Sequence, residues 1–250
     1  MEPPRTIPQD LYSQYSMNGT IPVLDLWYDG RNDLNAASSI WTKEYVEKFK
    51  RTFTPQNIKD QAYLAEPYGG ASGWLLKAFE NHSIQNKRVA VIGTLTPWIE
   101  AILLNMGNIV TTVEYNVPLC QDIENLTAIS YREFCDSDVT YDAIVTYSSI
   151  EHSGLGRYGD NLNPNGDIET MEQIHAHLEK GGILVWGAPV GHDALVWNAH
   201  RIYGRLRLPL MFCNFDEIEW IDFDRENLLD LPLQNNSVNA VVVLQPRKCT

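Results

Sequence analysis

Apolar residues recur at helical spacing twice in the first third of the chain. Trp41, Tyr45, Val46 and Phe49 predict a helix over 38–53, and Trp74, Leu75, Ala78 and Phe79 a second over 71–81. From Arg88 the pattern changes to short apolar runs separated by stretches of helix length. Residues 89–92 predict a buried strand closed by Gly93, 97–106 a helix ended by Gly107, and 110–115 the next strand. A weaker strand follows at 126–130, then strands at 141–147 and 183–188. Between the last two, Ile168, Met171, Ile174 and Leu178 predict a helix, with Asp167 as N-cap and Gly181-Gly182 as stop. Strands at 217–223 and 240–244 bring the sheet to seven. Strands alternating with helices imply a mostly parallel sheet covered on both faces, a Rossmann-like α/β fold. Residues 1–35, rich in Pro, Asn, Asp and Gly, predict an irregular arm in which 21–28 is a strand or an extended packing segment. Residues 36–250 then form a single domain that includes the first helices.

Charge narrows the partners. A net charge of -13 repels phosphate backbones, so nucleic acid is not an expected partner; a small molecule or glycan is, and a neutral or cationic acceptor fits the charge better than a polyanion. Cys120, Cys135, Cys213 and Cys249 are scattered without a paired motif, which reads as incidental thiols rather than a zinc site. No apolar run approaches the roughly 20 residues of a membrane span, and the N-terminal residues lack a signal peptide's apolar stretch. A cytoplasmic location is the expectation. Sequons at Asn18, Asn81, Asn125 and Asn235 would instead suit the secretory lumen if an anchor preceded this chain.

In an open parallel sheet, ligands bind beyond the carboxyl ends of the strands, where strand order reverses. The first of these ends reads VIGTLTPW, with Gly93 at the tip, Thr94 after it and Pro97 at the start of a helix. Glycine there lets a ligand approach the backbone closely. Glu114 ends the next strand, about 20 residues on, where a carboxylate accepts ribose hydroxyls. Tyr115 and Ser148, also at strand ends, join Gly69 of the upstream EPYGG segment as further cofactor contacts. The full GxGxxG motif is absent, which disfavours a dinucleotide and a nicotinamide oxidoreductase; S-adenosylmethionine has no phosphate, and one glycine suffices.

The segment 148–167 after the fourth strand is a Gly-rich polar loop holding Glu151, His152, Arg157, Tyr158 and Asp160. His152 is the candidate base, with Glu151 or Asp160 orienting its ring; the alternative is that it lines the pocket or caps a turn. Arg157 and Tyr158 are candidate acceptor contacts or an internal lock for the loop. His192, Asn198, His200 and Arg201 follow the fifth strand as further substrate candidates; a solvated loop is the alternative. Glu151, His152, Asp160, Asp167 and His192 include metal-ligand types, but no spacing enforces a coordination geometry.

The stretches YDAIVTYSSIEHSG and MEQIHAHLEKGGILVWGAPVG resemble the second half of class I methyltransferases, through Asp142, Glu151, His152, Gly181 and Gly182. TPWIEA, SSIEHSGLGRYGD, NPNGD and NAHRIYG resemble more closely the domain of unknown function 268 family, over roughly residues 66–210. That resemblance implies the class I methyltransferase fold, with a mostly parallel seven-stranded sheet, and S-adenosylmethionine as cofactor. The expected activity is O-methylation of a small polar acceptor such as a sugar hydroxyl. A non-catalytic binding or scaffold protein on the same fold is the alternative.

Overall fold

The computed structural model describes residues 2–31, 40–60, 70–233 and 237–247. Strands are numbered in chain order: β1 (Val23–Leu26), β2 (Ile40–Thr42), β3 (Arg88–Ile92), β4 (Ile109–Glu114), β5 (Leu119–Gln121) and β6 (Leu126–Ser130). They continue with β7 (Tyr141–Tyr147), β8 (Leu178–Val190), β9 (Ala194–Asn198), β10 (His200–Ile202), β11 (Phe215–Trp220) and β12 (Val238–Pro246). Seven of them form the main sheet in the order β11-β12-β8-β7-β3-β4-β6. All neighbours from β8 to β6 are parallel, and β12 runs antiparallel to both β8 and β11.

Chain order turns at β3. From it the sheet grows one way through β4 and β6 and the other way through β7 and β8, so the carboxyl ends of β3, β4 and β7 flank the switch point. The valine and isoleucine runs of β3 and β7 are buried because helices cover both faces. Helices Lys43–Thr52, Ala71–Asn81 and Trp98–Asn105 pack one core, and Gly166–Ala176, Leu208–Met211 and Arg225–Leu229 pack the other. No helix among the described residues is long and apolar enough to cross a membrane.

Local structure departs from the periodicity in several places. The first expected helix begins only at Lys43, because Ile40–Thr42 pairs with β5 and the Thr42 hydroxyl accepts the Tyr45 N–H at 3.1 Å as N-cap. Asp167 is not an N-cap: helix Gly166–Ala176 starts after Asn165, and the Asp167 carboxylate turns inward onto buried arginines. Gly181-Gly182 does not stop that helix, which ends at Ala176. Instead β8 already runs through the pair, where Gly181 takes a φ of +83° and the register against β7 slips.

The N-terminal residues are more ordered than their composition implies. They carry helix Gln9–Tyr15 and β1, which pairs in parallel with β9 in a separate sheet, β1-β9-β10. Tyr15 and Ile21 pack on Leu155, Leu195 and Trp197, and the Tyr15 hydroxyl donates to the Gly154 carbonyl. The arm thereby backs the polar loop after β7.

Candidate functional site

The exits of β3 and β7 touch. Gly93, at a φ of +77°, faces Ser149 so closely that a Cβ at Gly93 would stand 1.7 Å from the Ser149 hydroxyl oxygen. Ser149 thus fills the side of Gly93 where a side chain would stand, while Gly93 also borders the open space beside it. Beside this contact lies a cavity of about 630 Å³, within the usual range for small-molecule sites. Gly93, Thr94, Glu114 and Tyr115 line one side; Ser148, Glu151, His152, Arg157, Tyr158 and His200 line the other.

Glu114 closes β4 with both carboxyl oxygens turned to backbone. Oε1 accepts the Thr94 N–H, and Oε2 accepts the Tyr115 N–H at 3.1 Å. Burial pushes its pKa up to about 7, against the pull of those two donors. Behind it stands Glu100, fully buried on helix Trp98–Asn105, with Oε1 accepting the Thr112 hydroxyl at 2.8 Å. Burial pushes Glu100 up to about 8. Sequence reasoning passed over Glu100, although one acid among Trp98, Ile99, Ala101, Ile102 and Leu103 is a readable signal of a buried carboxyl.

Ser148, at a φ of +50°, turns the chain from β7 into the 3₁₀ turn Ile150–His152. Glu151 is buried there, its pKa pushed up to about 7 by desolvation, and its Oε2 has no hydrogen-bond partner. The His152 Nδ1 lies 2.6 Å from the Ala199 carbonyl, which can only accept; Nδ1 therefore carries the proton and Nε2 the lone pair. Nε2 is 3.6 Å from Glu151 Oε1. Burial, then the Arg157 cation, push His152 down to about 3, so the imidazole is neutral and a weak base.

Other expected residues have other work. Asp160 does not orient His152: its oxygens accept the N–H groups of Gly154, Gly156 and Tyr158 and so shape the loop. Arg201 is 2% exposed and cannot meet a substrate. It bonds the carbonyls of Ser153, Asn163 and Pro164 and lies 3.5 Å from Asp167. Asn198 is buried, its Oδ1 accepting the Tyr28 N–H at 2.7 Å, which pins the arm to β9. Neither His192, exposed beyond β8, nor Pro97, the N-cap of its helix, lines the cavity. Gly69 lies outside the described residues. Among those residues no group of three His, Cys, Asp or Glu is placed to hold a metal ion. Trp98, a strand-end aromatic, also lines the cavity, as do Tyr131 and Thr170, which the sequence did not suggest for this site.

These carboxyls set an expected pH profile. Glu100, Glu114 and Glu151 have folded values of about 8, 7 and 7, above the unfolded value of about 4.3. Their contribution is full below about pH 4 and is lost as pH rises through the folded values. His152, at about 3 when folded against about 6.5 unfolded, has the opposite sign: its contribution grows as pH rises between those values. Between about pH 4.5 and 6.5 three groups oppose one, so stability falls with rising pH there. Melting temperatures measured from pH 4 to 9 are expected to be highest near about pH 4 and to decline toward 8. Glu100→Gln should flatten the upper end of the decline, and a profile that rises monotonically to pH 8 would contradict the burial of these acids.

No curated protein matches the chain in sequence. Among solved structures, 1,6-didemethyltoxoflavin-N1-methyltransferase of Burkholderia thailandensis, bound to 1,6-didemethyltoxoflavin and S-adenosylhomocysteine, is similar. It has a TM-score of 0.54 and 12% identity over 90% of this chain and 94% of that one. The PH0226 protein of Pyrococcus horikoshii OT3 is similar at a TM-score of 0.50 and 13% identity, over 82% of this chain and 99% of that one. At these identities the likeness is one of fold, and the fold is that of class I methyltransferases. Residues 86–247 match the family described as Caenorhabditis protein of unknown function, DUF268, and the chain belongs to that family.

Proposed function

We propose that this protein is an S-adenosylmethionine-dependent methyltransferase that methylates an oxygen of a small polar acceptor, a sugar hydroxyl among the candidates. The observation that carries the reading is one cavity at the switch point, with Glu114 on one side and Glu151 beside His152 on the other. The Burkholderia relative was crystallised with S-adenosylhomocysteine, which supports the cofactor half of the reading.

The residues on the Glu114 side fit an adenosyl group. Each Glu114 oxygen accepts one backbone N–H, and a carboxylate has about four lone-pair sites, so acceptors remain for two ribose hydroxyls. Ile92, Val113 and Tyr115 supply apolar wall for a base. S-adenosylmethionine, when bound, supplies an electrophilic methyl group on a sulfonium centre.

On the other side the expected roles change. Glu151, which lines the cavity and whose pKa burial pushes up to about 7, is better matched than His152 to take a hydroxyl proton at neutral pH. His152, held by Ala199, stands as a neutral ring beside Glu151 and lines the acceptor wall.

Calorimetry with S-adenosylhomocysteine tests the cofactor half. The full chain is expected to bind it, and Glu114→Gln to bind about tenfold more weakly, the loss of about one charge-assisted hydrogen bond. Absence of binding at millimolar ligand would leave a scaffold on the same fold, a reading that the Ser149 hydroxyl seated against Gly93 favours.

A further inference from the structure

Arg157 lines the acceptor side of the cavity and makes no ion pair among the described residues. Its neighbours differ: Arg31 is bound to Asp29 at 2.6 Å, and Arg201 and Arg207 share Asp167. Of the nearby carboxylates, Asp29 is engaged by Arg31 and Asp160 by three backbone N–H groups, while Glu151 lies within the field of Arg157 without forming an ion pair with it.

The guanidinium is held rigidly all the same. It lies 4.7 Å from the Tyr28 ring centre and 4.9 Å from that of Tyr158. The Gly30 N–H donates to the Arg157 carbonyl at 2.8 Å, and a Cβ on Gly30 would stand 2.6 Å from the Tyr158 ring. Among the described residues only Nη1 is used, donating to the Ala199 carbonyl at 3.1 Å and lying 3.4 Å from His152 Nδ1. Nε is buried with no acceptor, and no hydrogen bond among the described residues uses Nη2. Nε is enclosed and out of a ligand's reach, so Nη2 is the N–H group left uncommitted toward the cavity, where it can meet an oxyanion.

We infer that Arg157 is an oxyanion receptor, and that the acceptor is a hydroxylated anion whose carboxylate or phosphate sits against this guanidinium. The placement sets the spacing within the acceptor. Arg157 stands at the Nδ1 side of the His152 ring and Glu151 at the Nε2 side, so anion and reacting hydroxyl lie on opposite flanks of one imidazole. A sugar acid, a sugar phosphate or a small hydroxy acid has that form. A charged group held by aromatic rings at a partly dehydrated wall attracts an anion more strongly than the chain's net charge of -13 repels it, because exposed charges beyond a Debye length are screened. Calling this anion an acceptor rests on the transferase reading; the receptor itself does not.

The test is titration of the full chain, at constant chloride, with gluconate, inorganic phosphate and glucose, each with and without S-adenosylhomocysteine. Gluconate or phosphate is expected to bind, and glucose to bind at least about tenfold more weakly. A preference for gluconate assigns a carboxylate, and a preference for phosphate a phosphate ester. Arg157→Gln is expected to lose about tenfold or more of the anion affinity, and Arg157→Lys, which keeps the charge but not the planar guanidinium, about threefold. Should Arg157→Gln fail to fold, Arg157→Lys decides. Equal binding of glucose and gluconate, no anion binding by the native chain, or anion affinity unchanged in the variants overturns the inference. Anion binding without S-adenosylhomocysteine binding sinks the transferase reading and leaves the receptor; the converse sinks the receptor alone.

Discussion

Asp167→Ala is expected to destabilise the protein by about 3–5 kcal/mol, because it leaves buried guanidinium groups without their counter-ion. Asp167 Oδ1 meets Arg207 Nη2 at 2.5 Å, and Oδ2 accepts Arg207 Nε at 2.8 Å and the Tyr203 hydroxyl at 3.1 Å. Burial alone would raise this carboxyl, but the Arg201 and Arg207 cations outweigh it and hold Asp167 below the usual carboxylate range. Arg201 in turn donates to the carbonyls of Glu151, Ser153, Asn163 and Pro164. Loss of the anion therefore loosens the loop that presents Glu151 and His152 to the cavity. Urea melts should show the drop in stability, and limited proteolysis should show faster cleavage within 148–167. Asp167→Asn, which keeps one acceptor oxygen but removes the charge and turns an amide donor toward donors, should fall between. A stability within about 1 kcal/mol of the native protein would mean the two arginines find other partners.

The sheet is legible in the sequence because its strands are buried on both faces and read as short apolar runs ended by glycine or an acid. Gly93, Glu114 and Ser148 mark strand ends, and strand ends at a switch point converge on one cavity in this class of fold. The strands β9 and β10 are not legible, since β10 pairs only with β9, and β9 pairs with β1 about 170 residues away, a partner that local periodicity does not record. The same non-local ordering turns a Pro-rich arm into a wall behind Arg157. Arg201 and Asn198 read as substrate contacts because a polar residue after a strand has two possible faces. Their true partners, Asp167 and the Tyr28 N–H, come from distant segments. Burial also moves Glu151 and His152 in opposite directions: enclosure raises an acid and lowers an imidazole, and only the fold reveals the enclosure.

Gly93→Ala is expected to cost about 2–4 kcal/mol and to damage the cavity at its hinge of two loops. Two separable effects act there. A φ of +77° is strained for any side chain larger than hydrogen, worth about 1–2 kcal/mol. The added Cβ also meets Ser149 Oγ at 1.7 Å and Ser149 Cβ at 2.3 Å, so rotating the hydroxyl away does not relieve the overlap. The loop after β7 must retreat, carrying Glu151 and His152 from Glu114 across the cavity. Combining Gly93→Ala with Ser149→Gly should recover the packing share of the loss and leave the backbone share, which a double-mutant cycle of melting free energies separates. S-adenosylhomocysteine affinity should fall in the single variant and partly return in the double. If Ser149→Gly recovers nothing, backbone strain alone accounts for the glycine. The contact between the two exit loops then does not hold the halves of the site together.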